Sequence, residues 1–182
     1  GTVLAAGMAA TNDRTTSSLQ VYYSSDGGKR WDYLSTIVEG GRQIYDPAQR
    51  AGDIKETPVW EPYLYLDAQG RLVAYYSDER FKADGYNQLL AHKISEDGGR
   101  TWGDVEFDVA VPDGQSRAGM SVVTRMGDGR YVLIFEVVSL PGYPLEPRSN
   151  PVFFKVSEDG VDYGDPTDIG TLIQDNRRQF LW

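Results

Sequence analysis

An all-β fold made of repeated four-stranded antiparallel units, a β-propeller, is what this sequence predicts, and three observations carry it. Short runs rich in Val, Ile, Leu, Tyr and Phe alternate with clusters of Gly, Asp and Asn, and no stretch sustains a helical period. An octapeptide, SSDGGKRW at Ser24–Trp31, returns as SEDGGRTW at Ser95–Trp102 and, in degenerate form, as SEDGVDYG at Ser157–Gly164. The repeat length, roughly 60–70 residues, gives room for four strands per unit, the make-up of a propeller blade. A β-sandwich is the main structural rival.

The strands follow in order. Thr2–Ala10, Leu19–Ser24 and Tyr33–Val38 make a first, three-stranded set. Thr57–Leu66, Arg71–Ser77, Gln88–Ser95 and Val105–Val111 make a second; Ala118–Met126, Arg130–Val138, Pro151–Ser157 and Asp168–Ile173 make a third. Asp67-Ala68-Gln69-Gly70 and Gly127-Asp128-Gly129 have hairpin-turn composition between neighbouring runs. The expected organisation is one partial propeller domain over 1–182: an incomplete blade at 1–40, blades at 57–111 and 118–173, and the start of another at 179–182. In the octapeptide, Asp26 or Asp97 can accept backbone N–H bonds across a tight turn while Gly28 or Gly99 takes positive φ, so its role reads as structural.

Composition narrows the function classes. The chain has 182 residues, 40% of them hydrophobic, enough to bury a sizeable core. A net charge of −9 and no clustered Lys and Arg argue against a nucleic-acid partner. No apolar run approaches a membrane span, and the opening GTVLAAGMAA lacks the basic start of a signal peptide. With no cysteine and the single histidine His92, thiolate metal sites and Ser-His chemistry have no residues to use, and neither a metal nor a cofactor is expected.

Alternating strand direction sorts the polar residues onto one face. If the octapeptide joins the third to the fourth strand of each blade, the opposite face carries the starts of first strands, the ends of second strands and the loops after them. Asp13 and Arg14, then Trp60 and Glu61, then Arg80, Arg117 and Glu136 fall there. Glu61 in PVWEPYLYL and Glu136 in YVLIFEVV stand among large apolar residues, where a carboxylate needs a partner or a task. Either each pairs with an arginine such as Arg80 or Arg117, or the two face each other across a pocket between blades, as glycosidic bond cleavage requires. Trp60 is a candidate to stack on a sugar ring; Asp13, Arg14, Arg80 and Arg117 are candidates to bind its hydroxyls, with Arg14 and Arg117 alternatively balancing the carboxylates. Tyr63 and Tyr65 share a face and read as packing, and His92 reads as structural.

These motifs carry a resemblance. The octapeptide has the S-x-D-x-G-x-x-W form of the Asp-box of sialidase-like propellers. The runs TPVWEPYLYLDAQGRLVAYYSDER, NQLLAHKISEDGGRTW and RAGMSVVTRMGDGRYVLIFE are similar to glycoside hydrolase family 93 along essentially the whole chain. The resemblance implies a six-bladed parent, about half of it present here, and a secreted enzyme acting from the chain end of α-1,5-arabinan to release arabinobiose with retention. It implies Glu61 as acid/base and Glu136 as nucleophile, with an oligosaccharide or polysaccharide as partner. It also implies a later tyrosine beside the nucleophile, outside these residues. Ser121 departs from the proline expected after Gly119-Met120. Two other readings stand beside this one: an exo-sialidase, which would need a tyrosine nucleophile and three arginines around a carboxylate, and a binding propeller without catalysis. Open blade edges also predict self-association.

Overall fold

The computed structural model describes residues 1–43, 57–142 and 150–177. Among these, eleven strands run in chain order: β1 (Val3–Ala10), β2 (Ser17–Ser24), β3 (Asp32–Gly40), β4 (Val59–Leu66), β5 (Leu72–Asp78), β6 (Leu89–Ser95), β7 (Glu106–Val109), β8 (Arg117–Arg125), β9 (Tyr131–Val138), β10 (Val152–Ser157) and β11 (Thr171–Leu172). They form three antiparallel sheets, β1-β2-β3, β4-β5-β6-β7 and β8-β9-β10-β11, each a meander of sequential neighbours. A one-turn 3-10 helix, Lys82–Asp84, is the helical element. The chain is therefore all-β and built of propeller blades. The start of a further blade expected at 179–182 lies outside the described residues.

The middle sheet is covered on both sides, and its sequence shows why. In β5, LVAYYSD, every residue is buried. Its side chains alternate: Val73 and Tyr75 join a core with Val123, Leu133, Phe135 and Phe153 of the third sheet. Ala74 and Tyr76 join another with Leu19, Val21 and Ile37 of the first. A strand with apolar groups on both faces needs a neighbour on both faces, and a continuous apolar run supplies them.

The octapeptides are turns that also bind adjacent sheets. In the second copy Ser95 Oγ donates to Asp97 Oδ1 at 2.8 Å, and Asp97 Oδ1 accepts the backbone N–H groups of Arg100 and Thr101, each at 2.9 Å. Trp102 then reaches back to the first sheet, donating from Nε1 to Ser35 Oγ at 3.0 Å, while the Ser35 hydroxyl donates to the Gly99 carbonyl. In the third copy the Tyr75 hydroxyl of the middle sheet donates to the Gly160 carbonyl, and Ala68 N–H donates to Asp159 O at 2.8 Å. This copy is one residue shorter, and Tyr163 fills the tryptophan's place in the core.

Both sheets with an inner strand carry the same irregularity there. The β4–β5 register shifts between Trp60 and Tyr63, and the β8–β9 register shifts between Gly119 and Val122. Glu61 and Met120 sit in these bulges with φ of 58° and 57°, in the left-handed region. Such a bulge turns one side chain out of the alternation and re-aims it. Pro62, which has no N–H for the ladder, fits inside the first bulge at no cost in pairing.

Candidate active site

The two bulges meet at one rim. Glu61 projects from the β4 bulge, exposed, and its Oε2 accepts from Ser77 Oγ at 3.1 Å and from the backbone N–H of Met120 at 3.0 Å. Ser77 lies opposite Trp60 on β5, so one of these donors comes from Glu61's own sheet and the other from the next. Met120 follows Gly119, and Gly119 pairs directly with Glu136 across the β8–β9 ladder. Glu136 is partly buried near the end of β9, and its Oε2 accepts from Asn150 Nδ2 at 3.0 Å. Each carboxylate thus has one oxygen held by hydrogen bonds.

Between the middle and third sheets a pocket of ≈ 350 Å³ is lined by Trp60, Glu61, Gln88, Arg117, Gly119, Glu136 and Val138. It joins both carboxylates, the indole and one arginine of the sequence-derived candidates. Gly119 keeps it open: a Cβ there would lie 2.8 Å from Gln88 Nε2 and 3.8 Å from Glu61 Oε2.

The arginines serve other partners than those expected. Arg117 donates from Nη2 to Glu79 Oε1 at 2.8 Å and to Gln88 Oε1 at 2.7 Å, so its charge is directed at Glu79, and not at Glu136. Arg80 grips the fully buried Asp78, with Nη2 to Oδ2 at 2.7 Å, and rests over the Phe81 ring; it does not line the pocket. The structural ion pairs foreseen for the region exist, but their acids are Asp78 and Glu79, neighbours in sequence at the end of β5. Arg80 retains one outward bond, from Nη1 to Glu39 O at 3.4 Å.

Asp13 and Arg14 stand apart, in the β1–β2 loop. Asp13 Oδ1 accepts from Thr11 Oγ1 at 2.6 Å and Thr15 Oγ1 at 2.8 Å, and the Thr11 bond first, then those of Thr15, holds this exposed carboxyl below its ordinary range. Arg14 is at φ 54° and bonds through its backbone to Thr11 and Gln43. Tyr63 and Tyr65 are packing residues between sheets: the Tyr63 hydroxyl donates to Val123 O and the Tyr65 hydroxyl accepts from Arg125 N–H, each at 3.0 Å.

Sequence reasoning missed Ser77, Gln88, Gly119 and the Met120 amide. Pro62 inside one first-strand pattern, and Gly119 inside the next, were the signals for the bulges that assemble them. Gln88 offered no signal, since its role depends on an isolated bridge to Arg117. Among the described residues, no three His, Cys, Asp or Glu side chains cluster to hold a metal ion, and no helix is long and apolar enough to cross a membrane.

Blades of a β-propeller, with two carboxylates from neighbouring blades at one rim pocket, define the class: a sialidase-like propeller resembling glycoside hydrolase family 93. The solved relatives agree. The α-L-arabinanase of Penicillium chrysogenum, complexed with arabinobiose, matches with a TM-score of 0.82 at 32% identity over 99% of this chain and 47% of that one. The GH93 α-L-arabinofuranosidase of Fusarium graminearum, also with arabinobiose, matches with a TM-score of 0.81 at 29% identity over the same shares. A protein from Dyadobacter fermentans, 18% identical with a TM-score of 0.62 over 96% of this chain and 39% of that one, shares the fold. The chain spans about half the length of the two arabinan-related structures. No protein-family model and no curated protein matches it.

Proposed function

We propose that this chain carries the two catalytic carboxylates of an exo-acting, retaining glycoside hydrolase on α-1,5-linked arabinan and its oligosaccharides. The observation that carries this reading is the pocket that Glu61 and Glu136 line together from adjacent blades. Glu136 attacks the anomeric carbon through the oxygen not engaged by Asn150 while Glu61 protonates the departing glycosidic oxygen. The resulting glycosyl ester is hydrolysed by a water that Glu61 deprotonates, and net retention follows from two inversions. This mechanism needs the carboxyls about 5–5.5 Å apart. Trp60 gives the sugar an apolar face, and Arg117 and Gln88 supply donors and an acceptor for hydroxyls. Asp13, Arg14 and Arg80, which do not line the pocket, belong to this reading as outer contacts to a longer chain.

A neutral sugar is favoured over a sialic acid because, among the described residues, the pocket is lined by one arginine, and a sialoside carboxylate calls for several. Secretion accords with a polymeric substrate that cannot enter a cell.

The test uses the protein that carries this chain. Glu136→Gly should abolish release of arabinobiose from linear arabinan and regain turnover with azide, giving the sugar azide of inverted configuration. Glu61→Ala should regain turnover with azide to give the retained azide, and should spare substrates with good leaving groups in the first step. Wild-type release from a sialoside, with none from arabinan, would turn the assignment to a sialidase; release from neither, with arabinobiose still bound, would make the site a binding site.

A further inference from the structure

Beneath the pocket lies a carboxylate for which the two-glutamate mechanism has no use. Glu79 follows the last residue of β5 and is 4% exposed. Its backbone N–H donates to Pro58 O at 3.0 Å, which fixes it beside the start of β4. Its Oε1 accepts two bonds, from Trp60 Nε1 at 3.0 Å and from Arg117 Nη2 at 2.8 Å, and its Oε2 pairs with Lys82 of the 3-10 turn. A buried carboxylate is costly unless its lone pairs are filled, and three donors from three different elements fill them here.

Two of those donors, Trp60 and Arg117, line the pocket, one from each of the two sheets that form it. An indole ring can turn about two side-chain bonds; tying its N–H to a buried, immobile acceptor fixes which way the ring faces. Arg117 is held a second time by Gln88, whose own Nε2 donates to Ala118 O at 2.8 Å. For Arg117, Glu79 is one of two anchors.

We propose that Glu79 is a positioning residue for the sugar subsite: through one carboxylate oxygen it sets the ring plane of Trp60 and the fork of Arg117, and so controls substrate binding without touching substrate. The proposal rests on the glycosidase reading of the same pocket for its effect on the sugar, but the anchoring of Trp60 is independent of it.

Two variants test it in the protein carrying this chain. Trp60→Phe keeps a ring and leaves Glu79 its Arg117 and Lys82 partners, so the fold is spared. Glu79→Gln keeps the shape and weakens the acceptor. Each should raise KM for linear arabino-oligosaccharides about tenfold with kcat changed by less than about threefold, the pattern of lost binding shared by ground and transition state. The double variant should be no worse than the poorer single one, since both cut the same link. With 5-fluorotryptophan incorporated, the fluorine resonance that disappears in Trp60→Phe should shift and broaden in Glu79→Gln, and Glu79→Asp should recover part of both effects. An unmoved Trp60 resonance, additive KM effects, or a fall in kcat at constant KM would overturn the proposal. A wild type inactive on arabinan overturns the glycosidase reading alone, and the resonance then decides the anchor.

Discussion

Glu61 holds a conformation that a glutamate does not choose for itself. At φ 58° its Cβ crowds the backbone, a cost of about 1–2 kcal/mol relative to the right-handed region. What keeps it there is the bulge around Pro62 and the pair of donors, Ser77 and the Met120 amide, that receive its carboxylate. Strain of this sort persists where the surroundings over-determine the residue, and catalytic sites are one such place. A stability difference follows that is separable from chemistry. Glu61→Gly and Glu61→Ala lose the same two hydrogen bonds, but glycine is at ease with this backbone and alanine is not, so Glu61→Gly should be the more stable by about 1 kcal/mol. Urea unfolding of the two variants measures this; equal midpoints would mean that the bulge relaxes once the carboxylate is gone.

At the scale of elements, the seam between the middle and third sheets holds a buried ionisable pair. His92 on β6 is 1% exposed, and its Nδ1 lies 2.9 Å from Asp108 Oδ1 on β7. Glu106 Oε2 stands 3.8 Å from the other ring nitrogen, Tyr75 packs its ring against the imidazole, Lys155 of β10 donates to the Asp108 carbonyl at 3.1 Å, and Asp159 adds negative potential from the third octapeptide. Burial opposes charging His92, but the Asp108 carboxylate outweighs it, with Glu106 assisting, and the imidazole titrates above its ordinary 6.5. A group whose folded pKa is raised contributes stability that is complete below the unfolded value and disappears as pH climbs through the folded one. The melting temperature of the wild type should therefore exceed that of His92→Gln most below pH 6.5 and approach it as the pH climbs through the raised folded value. A gap that does not change with pH would mean the pair is neutral throughout. His92 was legible as structural from its strand position, and Asp108 was not legible at all, since an Asp in a fourth strand resembles any surface acid until the register sets it opposite β6. The same contrast runs through the site. Glu61 and Glu136 announce themselves by interrupting apolar runs, a local signal. The partners of Arg80 and Arg117 do not, because charge pairing is decided by which side chains turn inward at Asp78, the end of β5, and at Glu79 just after it, and the exposure of Glu61 comes from a bulge that plain alternation does not foresee.

For the whole molecule, the eleven strands and their grouping were readable because period-two patterning and a repeated turn repeat the same message three times over. The first sheet differs from the other two in having three strands.

The second and third octapeptide turns each bond to the sheet before them. Gly99 and Trp102 meet Ser35, while Asp159 and Gly160 meet Ala68 and Tyr75, so in each case the turn is made after the group it docks on. On a ribosome, which emits the chain from its amino end, each new blade would find its docking partner already outside the exit tunnel and waiting. Assembly can then proceed in the order of translation, with each blade serving as the template against which its successor folds.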